Sequence, residues 1–534
     1  MLSLGRLLLR RLGLRRAVDR LPKPPTAEEL RSLGNNAGSG TAAALDQFAL
    51  ALLAIDKEGD QQLRQAAVGE VEQLGARTWL ALDVTTRTSW WNAPAWSFAV
   101  RNTLAESEPT ALGLVLASFH PDGHIREAAV ARMAELEAVV VIAPLSMRCA
   151  DWVQEVRDRA RVAIEARLSA RDGAVLVAAA AIGLMMRDRQ EGTWLAEIVE
   201  DRLRNGTTAE LNAALSAKDW RTRRAAYAAA IESGRLDLHE LLQAAARDSD
   251  MPVRTLCARA AVVRALGDGA TTDLQPLLLS GTALVRAEAV AALAQAGDTA
   301  PASSALIDRS PIVRWTAQVA VRRAGTSPAN RYRELVLTDP PSPAALAGLG
   351  ETGDDSDVAV ISRWLSHPAA RGRAEAVRAL RKLGAATPER VGHMLTDDSA
   401  AVTRQVTKAL IGHAREINVE VLSELIRADH PRHVRVAAYR LLRERDVWSR
   451  LSADLRFIDD DEIAVKMRAR ADLEAWLKRD AATTYSRPQG STAEELRTLL
   501  DQGERFLNPK TTKDLRFHLG LQKGSSEPPL DAGS

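Results

Sequence analysis

Residues 248–267, DSDMPVRTLCARAAVVRALG, set Arg254 directly against a long apolar run. Asp250 and Pro252 stand just before that run. Both are typical of a helix start, because an aspartate accepts hydrogen bonds from free amide groups and a proline in the first turn forfeits no intrahelical bond. The upstream segment LDLHELLQAAARD predicts another helix. The stretch therefore predicts two antiparallel helices joined by a tight turn at Asp250, the second one closed by Gly267.

The same pattern, an apolar residue followed by arginine and an Ala/Val/Leu-rich run, recurs along the chain. The clear copies are centred on Arg64, Arg126, Arg157, Arg254, Arg286, Arg314 and Arg435. The weaker copies are centred on Arg223, Arg373, Thr403 and Lys466. Successive copies stand 28 to 32 residues apart or about twice that far, and the wide gaps fit degenerate copies near residues 95, 190 and 344. A fixed period of this size predicts about fourteen two-helix repeats.

The pattern resembles HEAT repeats of the short bacterial kind, with a turn acid, Val-Arg and an Ala-rich second helix. The resemblance covers most of the chain. It implies an all-α fold, a right-handed α-solenoid of about fourteen HEAT-like repeats with non-repeat caps at both ends. It also implies that each arginine bonds the turn acid or helix-end carbonyls of a neighbouring repeat. The arginines given this structural role are Arg126, Arg157, Arg254, Arg286, Arg314 and Arg435, and the acids include Asp122, Asp250, Asp308 and Asp398.

Composition limits the function classes. The 71 basic and 69 acidic residues give a net charge of +2, which does not suit a whole-molecule field for nucleic acid. Aromatic residues are only 4% of the chain, and strand-like alternation is almost absent, so most of the chain should be helical. Cys149 and Cys257 lie far apart without metal-ligand spacing, which favours two buried thiols in a reducing cytoplasm.

The N-terminal residues 1–25 form a basic arm or helix, with seven basic residues against Asp19. Contact with an anionic membrane surface or an acidic partner is one interpretation, and a plain capping helix or a disordered arm is the other. No apolar run approaches the roughly 20 residues that cross a bilayer.

The remaining organisation follows the repeat. We expect a linker and helix over residues 26–44, with Thr26 as N-cap and Gly34–Thr41 as a flexible linker. The repeats should occupy residues 45–480. Cap helices are expected over residues 481–522, one of them starting at Thr492, and a disordered tail over residues 523–534.

Few residues carry chemistry. A single His-Glu pair, at His239, cannot supply a HEAT-type di-iron site, and no Gly-x-Ser-x-Gly elbow occurs. Asp151-Trp152 and Asp219-Trp220 invite comparison with HEAT-like DNA glycosylases, but their recurrence at repeat turns favours a structural role. We therefore expect no catalytic, cofactor or metal site, while a HEAT-type lyase or other enzyme stays open as an alternative.

Two surfaces are candidates for partner binding. Arg259, Arg378, Lys408 and Arg440 stand five residues after the repeat position, and stacked repeats would place the last three in one stripe. The stripe could bind an acidic protein segment or phosphates, and the alternative is a solvated helix face. A tryptophan cluster, Trp79, Trp90, Trp91 and Trp96, could anchor a partner or fill the core.

These observations favour a non-enzymatic cytoplasmic scaffold that presents an extended solenoid surface to protein partners. The alternative is a nucleic-acid-binding HEAT protein with a glycosylase-like or phosphate-binding concave surface.

Overall fold

The computed structural model describes residues 21–91, 94–338 and 342–521, and the side chains of residues 90–97 lie outside the description. Within these residues the regular structure is entirely helical, and no strand occurs. The all-α prediction is confirmed. The expected arm at residues 1–20 and the expected tail at residues 523–534 fall outside the described residues.

The helices group into two compact units, one up to Ala289 and one from Val290 onward. The α-helices that begin in the first unit are α1 (Ala27–Ala37), α2 (Ala42–Glu58), α3 (Gln61–Glu72), α4 (Ala76–Trp91), α5 (Pro94–Thr103), α6 (Ala111–Ala117), α7 (Gly123–Ala134), α8 (Ile142–Arg148), α9 (Gln154–Ser169), α10 (Gly173–Met186), α11 (Thr193–Asn205), α12 (Thr208–Leu215), α13 (Trp220–Glu232), α14 (Leu238–Arg247), α15 (Met251–Asp268) and α16 (Ala283–Gln295). Two 3-10 helices also occur there, Val139–Val141 and Thr271–Leu279.

The second unit continues with shorter helices. Its α-helices are α17 (Ala300–Ala305), α18 (Pro311–Arg323), α19 (Pro328–Leu335), α20 (Pro343–Thr352), α21 (Val358–Ser362), α22 (Ala370–Lys382), α23 (Pro388–Val391), α24 (Ala400–Leu410), α25 (Val419–Leu425), α26 (Arg432–Arg445), α27 (Val447–Phe457), α28 (Ile463–Arg479), α29 (Gly490–Gly503) and α30 (Pro509–Leu519). Its 3-10 helices are Asp355–Asp357, Arg363–Ser366, Gly392–Thr396, Ile411–His413, Ala481–Thr483 and Glu504–Phe506.

The opening stretch forms α15, and it packs against α14 as the sequence predicts. The carboxylate of Asp250 caps the helix by accepting a hydrogen bond from the amide of Val253 at 3.3 Å, and Pro252 lies in the first turn. The helix does not close at Gly267. It continues to Asp268 and ends at Gly269, whose φ of 70° is the left-handed conformation that favours glycine.

The core is built from small residues in stripes along the second helices. In α15 the stripe is Val253, Cys257, Ala261 and Ala265, all of them fully buried. Spacing of four residues puts these side chains on one helix face, and their small size lets neighbouring backbones approach closely. In the second unit, α20, α22, α24 and α26 pack in succession, each against the next.

The N-terminal part is more helical than expected. Thr26 and Glu29 form a reciprocal capping box, so α1 starts at the predicted position. The helix then continues through Ala37, and the linker expectation for residues 34–37 is wrong. Gly34 is buried, and an added Cβ would meet the Oε2 atom of Glu70 at 3.2 Å, so this close approach favours glycine inside the helix.

The C-terminal part forms two cap helices, α29 and α30. Helix α29 begins at Gly490, two residues before the predicted start at Thr492, and packs its buried Leu496 and Leu500 against α27. Cys149 and Cys257 are both buried, as expected. Among the described helices, none combines the length and apolar character needed to cross a bilayer.

Candidate functional site

At the repeat position an arginine contacts an aspartate 24 or 25 residues further along the chain, as in the pairs Arg126–Asp151, Arg223–Asp248, Arg373–Asp397 and Arg435–Asp460. We call this contact the Arg–Asp clasp. In the best-formed example, Arg126 donates from Nε and Nη2 to the two carboxylate oxygens of Asp151 at 2.9 and 2.8 Å. Arg373 holds Asp397 in the same bidentate way, at 2.7 and 2.9 Å. This geometry is the strong form of a charge-assisted hydrogen bond.

Each clasp joins two turns. The aspartate is fixed by its own turn, because one carboxylate oxygen accepts the backbone N–H two residues later, as Asp151 does from Val153 at 3.0 Å. The same turn occurs at Asp248, Asp397 and Asp460. Arg126 is also fixed by a carbonyl six residues before it, since it donates to the His120 oxygen at 3.1 Å, and Arg223 and Arg373 make the corresponding contact.

The charges in the clasps are well stabilised. Burial disfavours the ionised form of Asp151, but the hydrogen bond from Arg126 and the charge of Arg148 outweigh it and hold the pKa of Asp151 below its ordinary value. At Asp397, the hydrogen bond from Arg373 is the main cause that lowers the pKa of the carboxyl. These carboxylates are therefore ionised structural partners rather than proton donors.

Arg254, the arginine of the opening stretch, does not form a clasp. Its side chain makes no hydrogen bond or ion pair within the described residues, and the Nε atom is buried without a partner. The physical reason lies in the next turn, where Ser280 occupies the place that an aspartate holds in the four clasps. No side-chain contact of Arg254 within the described residues therefore supports its expected structural role.

The acids that the sequence analysis expected to bind the repeat arginines make other contacts. Asp250 caps α15 and accepts two hydrogen bonds from Arg224, at 2.7 and 2.8 Å. Asp122 caps α7 through the amide of His124 at 2.9 Å. Asp398 is exposed, and its neighbour Asp397 holds the arginine instead. The clasp aspartate is Asp248 in place of Asp250 and Asp397 in place of Asp398, so it lies one or two residues earlier in the turn than the sequence analysis placed it.

The other expected arginines bond carbonyls or a different acid. Arg157 donates to the Asp151 carbonyl at 2.9 Å, and Arg286 donates to the Ser280 carbonyl at 2.7 Å. Arg314 donates to the Asp308 carbonyl at 3.0 Å and holds both carboxylate oxygens of Glu351, at 3.1 and 2.5 Å. The Asp308 carboxylate accepts the amide of Ser310 within its own turn.

The predicted basic stripe divides into paired and unpaired cations. Arg259 donates to Glu288 at 2.7 Å, and Arg378 donates to Glu375 at 2.7 Å. Lys408 and Arg440 are exposed and form no ion pair within the described residues. Only the latter two are available to a partner without breaking an existing contact.

Arg440 belongs to a groove between α24 and α26 with a volume of about 370 Å³. We call this the basic groove, lined by Ala400, Arg404, Thr407, Arg432, His433, Val436, Ala437 and Arg440. Arg404 is exposed and also forms no ion pair within the described residues. Arg432 is bonded to Glu462 at 2.7 Å, although its side chain is 67% exposed. The sequence analysis missed Arg404, which lies one helical turn before Lys408.

The groove combines cations with an apolar surface. The guanidinium groups of Arg404 and Arg440 can each bond a carboxylate or phosphate bidentately. Val436 and Ala437 supply apolar lining, and Ala437 is buried. The imidazole Nε2 of His433 lies 2.9 Å from the Asp397 carbonyl oxygen, which ties the groove to a clasp turn. The arrangement suits binding of an anionic segment and contains no nucleophile paired with a base.

The predicted tryptophan cluster is described only at Trp79. This side chain is buried and packs edge-to-face on Phe119, with ring centroids 6.2 Å apart, so it fills the core. Trp90, Trp91 and Trp96 fall among the side chains outside the description, and their anchoring role stays a prediction.

One group of side chains has metal-ligand spacing. Ligand atoms of Glu424, Asp429 and His430 lie within 4.8 Å of one another. Arg427 stands 3.3 Å from Glu424 and 3.8 Å from Asp429, so one guanidinium pairs with both exposed acids. These side chains form an ion-pair cluster on the surface.

Comparison with known proteins adds no identity. No family model matches the sequence, and no curated protein matches it at a significant level.

Proposed function

We propose that the chain is a non-enzymatic cytoplasmic scaffold that holds an acidic segment of a protein partner in the basic groove. The observation that carries this proposal is the pair of exposed guanidinium groups, Arg404 and Arg440, that line one groove and have no acid of their own within the described residues. A charged group with no internal role in ion pairing is free to serve recognition.

The HEAT resemblance and the solenoid arrangement remain part of the proposal. Two observations support them, the succession of contacts from α20 to α26 and the recurrence of the Arg–Asp clasp at a fixed spacing. In a solenoid, corresponding faces of successive second helices lie side by side and form an extended binding surface. The basic groove would be one section of that surface.

An acidic peptide fits the groove better than a nucleic acid does. The groove offers two unpaired arginines and a third that already holds Glu462, whereas nucleic-acid sites gather many phosphate contacts. Val436 and Ala437 add apolar lining that an aliphatic side chain next to carboxylates can cover. We therefore take the ligand to be a short segment with glutamates or aspartates flanking an aliphatic residue.

The test uses the full chain and a fluorescein-labelled peptide, Glu-Glu-Leu-Glu-Glu, in a fluorescence anisotropy titration. The double variant Arg404→Glu/Arg440→Glu should bind the peptide at least roughly tenfold more weakly, because charge-assisted bonds contribute about 1.5–3 kcal/mol each. The matched control is Arg331→Glu/Arg427→Glu. It changes the net charge equally at exposed arginines that already pair with Glu334 and Glu424.

The control should bind as the unaltered chain does. Equal weakening in both double variants would show that only net charge matters, and the groove proposal would fail. A single-stranded oligonucleotide serves as the competing ligand. If it binds more tightly than the peptide and its affinity falls steeply between about 50 and 200 mM salt, the nucleic-acid alternative replaces the scaffold.

A further inference from the structure

The first unit contains a second recessed site, a pocket of about 340 Å³ formed by α4, α8, the end of α10 and the loop after α8. We call it the Trp152 cleft. Val84 and Met186 contribute apolar walls, and Arg87, Arg148 and Arg189 contribute guanidinium groups. A volume of this size lies at the lower end of small-molecule sites.

A buried charge network forms the polar side of the cleft. Asp83 is bonded by Arg87 at 2.7 and 2.9 Å and lies 2.6 Å from Arg148. Arg148 also bonds Asp151 at 2.9 Å, and Asp151 is the aspartate that Arg126 clasps. Three guanidinium groups therefore face two carboxylates, which leaves one net positive charge in a place largely removed from water.

The donors of the network are not all used. The Nε atoms of Arg87 and Arg148 are buried and have no hydrogen-bond partner, and the Arg148 side chain is only 3% exposed. An unmet donor on a buried cation is costly, so the network favours one more negative charge nearby. At the rim, Arg189 is exposed and makes no ion pair within the described residues.

An aromatic surface stands at the same place. Trp152 is 67% exposed, although two guanidinium groups hold its ring, Arg87 at 4.4 Å and Arg126 at 4.5 Å from the centroid. These cation–π contacts fix the indole while most of its surface stays open to solvent. A fixed and exposed indole is a ready stacking partner for a planar ligand.

We propose that the Trp152 cleft binds an aromatic carboxylate, with the carboxylate among Arg87, Arg148 and Arg189 and the aromatic body against Trp152 and Val84. A single carboxylate neutralises the net charge of the buried network, and Arg189 at the rim supplies a further charge-assisted hydrogen bond. The site is separate from the basic groove and does not depend on the scaffold proposal. The aromatic carboxylate has two sources, a free small molecule or the C-terminal residue of a peptide.

The test is isothermal titration calorimetry on the full chain with 1-naphthoate, its neutral amide 1-naphthamide, and a Gly-Gly-Phe peptide with a free C-terminal carboxylate. We expect 1-naphthoate to bind and 1-naphthamide to bind at least roughly tenfold more weakly, because the amide lacks the charge. Binding of the peptide as well as 1-naphthoate supports a chain terminus as the source, and binding of 1-naphthoate alone supports a free small molecule.

Two variants locate the binding. Trp152→Ala removes the stacking surface, and Arg189→Gln removes the rim charge while leaving the buried network intact. Each should weaken 1-naphthoate binding several-fold. The matched control is Trp220→Ala, because Trp220 is also exposed and also stacks on two arginines, Arg221 and Arg224, at 4.1 and 4.0 Å. The proposal is overturned if 1-naphthoate does not bind, if the amide binds equally well, or if Trp152→Ala and Arg189→Gln bind as the unaltered chain does.

Discussion

Arg126 grips both carboxylate oxygens of Asp151, and neither side chain has any surface exposed to solvent. Removing Arg126 breaks both of these bonds to a buried carboxylate and its bond to the His120 carbonyl, and it leaves Asp151 paired with Arg148. We therefore expect Arg126→Ala to lower the stability of the first unit by about 3–5 kcal/mol. The midpoint of urea denaturation, followed by circular dichroism, measures the effect. An Arg126→Ala midpoint equal to that of the unaltered chain would contradict the structural role of the pair.

Arg254 provides the contrast. It occupies the same repeat position as Arg126, but its side chain has no hydrogen-bond or ion-pair partner within the described residues. We expect Arg254→Ala to change stability by less than about 1 kcal/mol, the range of substitutions that break no named interaction. Arg223→Ala, which removes contacts to Asp248 and Ser249, should cost clearly more in the same urea titration.

A buried carboxyl in the second unit should make stability depend on pH. Asp454 is fully buried, and its pKa is raised from 3.8 to about 7, chiefly by burial and also by the charge of Asp472, against the hydrogen bond from Tyr439 and the charge of Arg443. Between these two values the folded chain keeps a proton that the unfolded chain has released. Stability contributed by this group is therefore present below about pH 4 and is lost as the pH rises toward 7.

The size and origin of this slope can be measured. At about 1.4 kcal/mol per pKa unit, the shift corresponds to a loss of about 4–5 kcal/mol across the window. Asp454→Asn keeps an acceptor for the Tyr439 hydroxyl, which donates to Asp454 at 2.7 Å, and removes the titration. Urea midpoints at several pH values should fall less steeply for this variant. Parallel curves for both proteins would show that Asp454 does not titrate in this range.

The two thiols should report on unfolding. Both cysteines are buried, and burial raises the pKa of Cys257 to about 12 and raises that of Cys149 as well. Because the thiolate is the reactive form, neither cysteine should react with Ellman's reagent in the folded chain at neutral pH. Two equivalents should react in urea. Rapid reaction without denaturant would mean that one of these helices opens readily.

The helices could be predicted because a helix is specified locally, by apolar positions four residues apart and by capping residues at its ends. The aspartate that pairs with each repeat arginine was harder to predict. Asp248 and Asp250 both lie in one turn and both accept backbone amides, so composition cannot tell which one meets the repeat arginine, Arg223. The distance of 25 residues from Arg223 would have distinguished them.

The two recessed sites could not be predicted from local sequence patterns. Asp83, Arg148 and Trp152 meet in the Trp152 cleft because α4 packs against α8, and no local spacing encodes that meeting. In the basic groove, the sequence analysis identified Arg440, which stands five residues after the repeat position, but it missed Arg404. The groove lies between two helices, and its cations occupy different repeat positions on the two helices.

Each clasp spans an interval of 24 or 25 residues. A duplication of that segment of chain therefore copies both the arginine and the aspartate. The copied segment can then form its own Arg–Asp clasp. An insertion of even a few residues inside the interval, in contrast, moves the arginine and the aspartate out of register. Residues added between two clasps therefore leave both contacts in place, whereas residues added inside an interval separate an arginine from its aspartate.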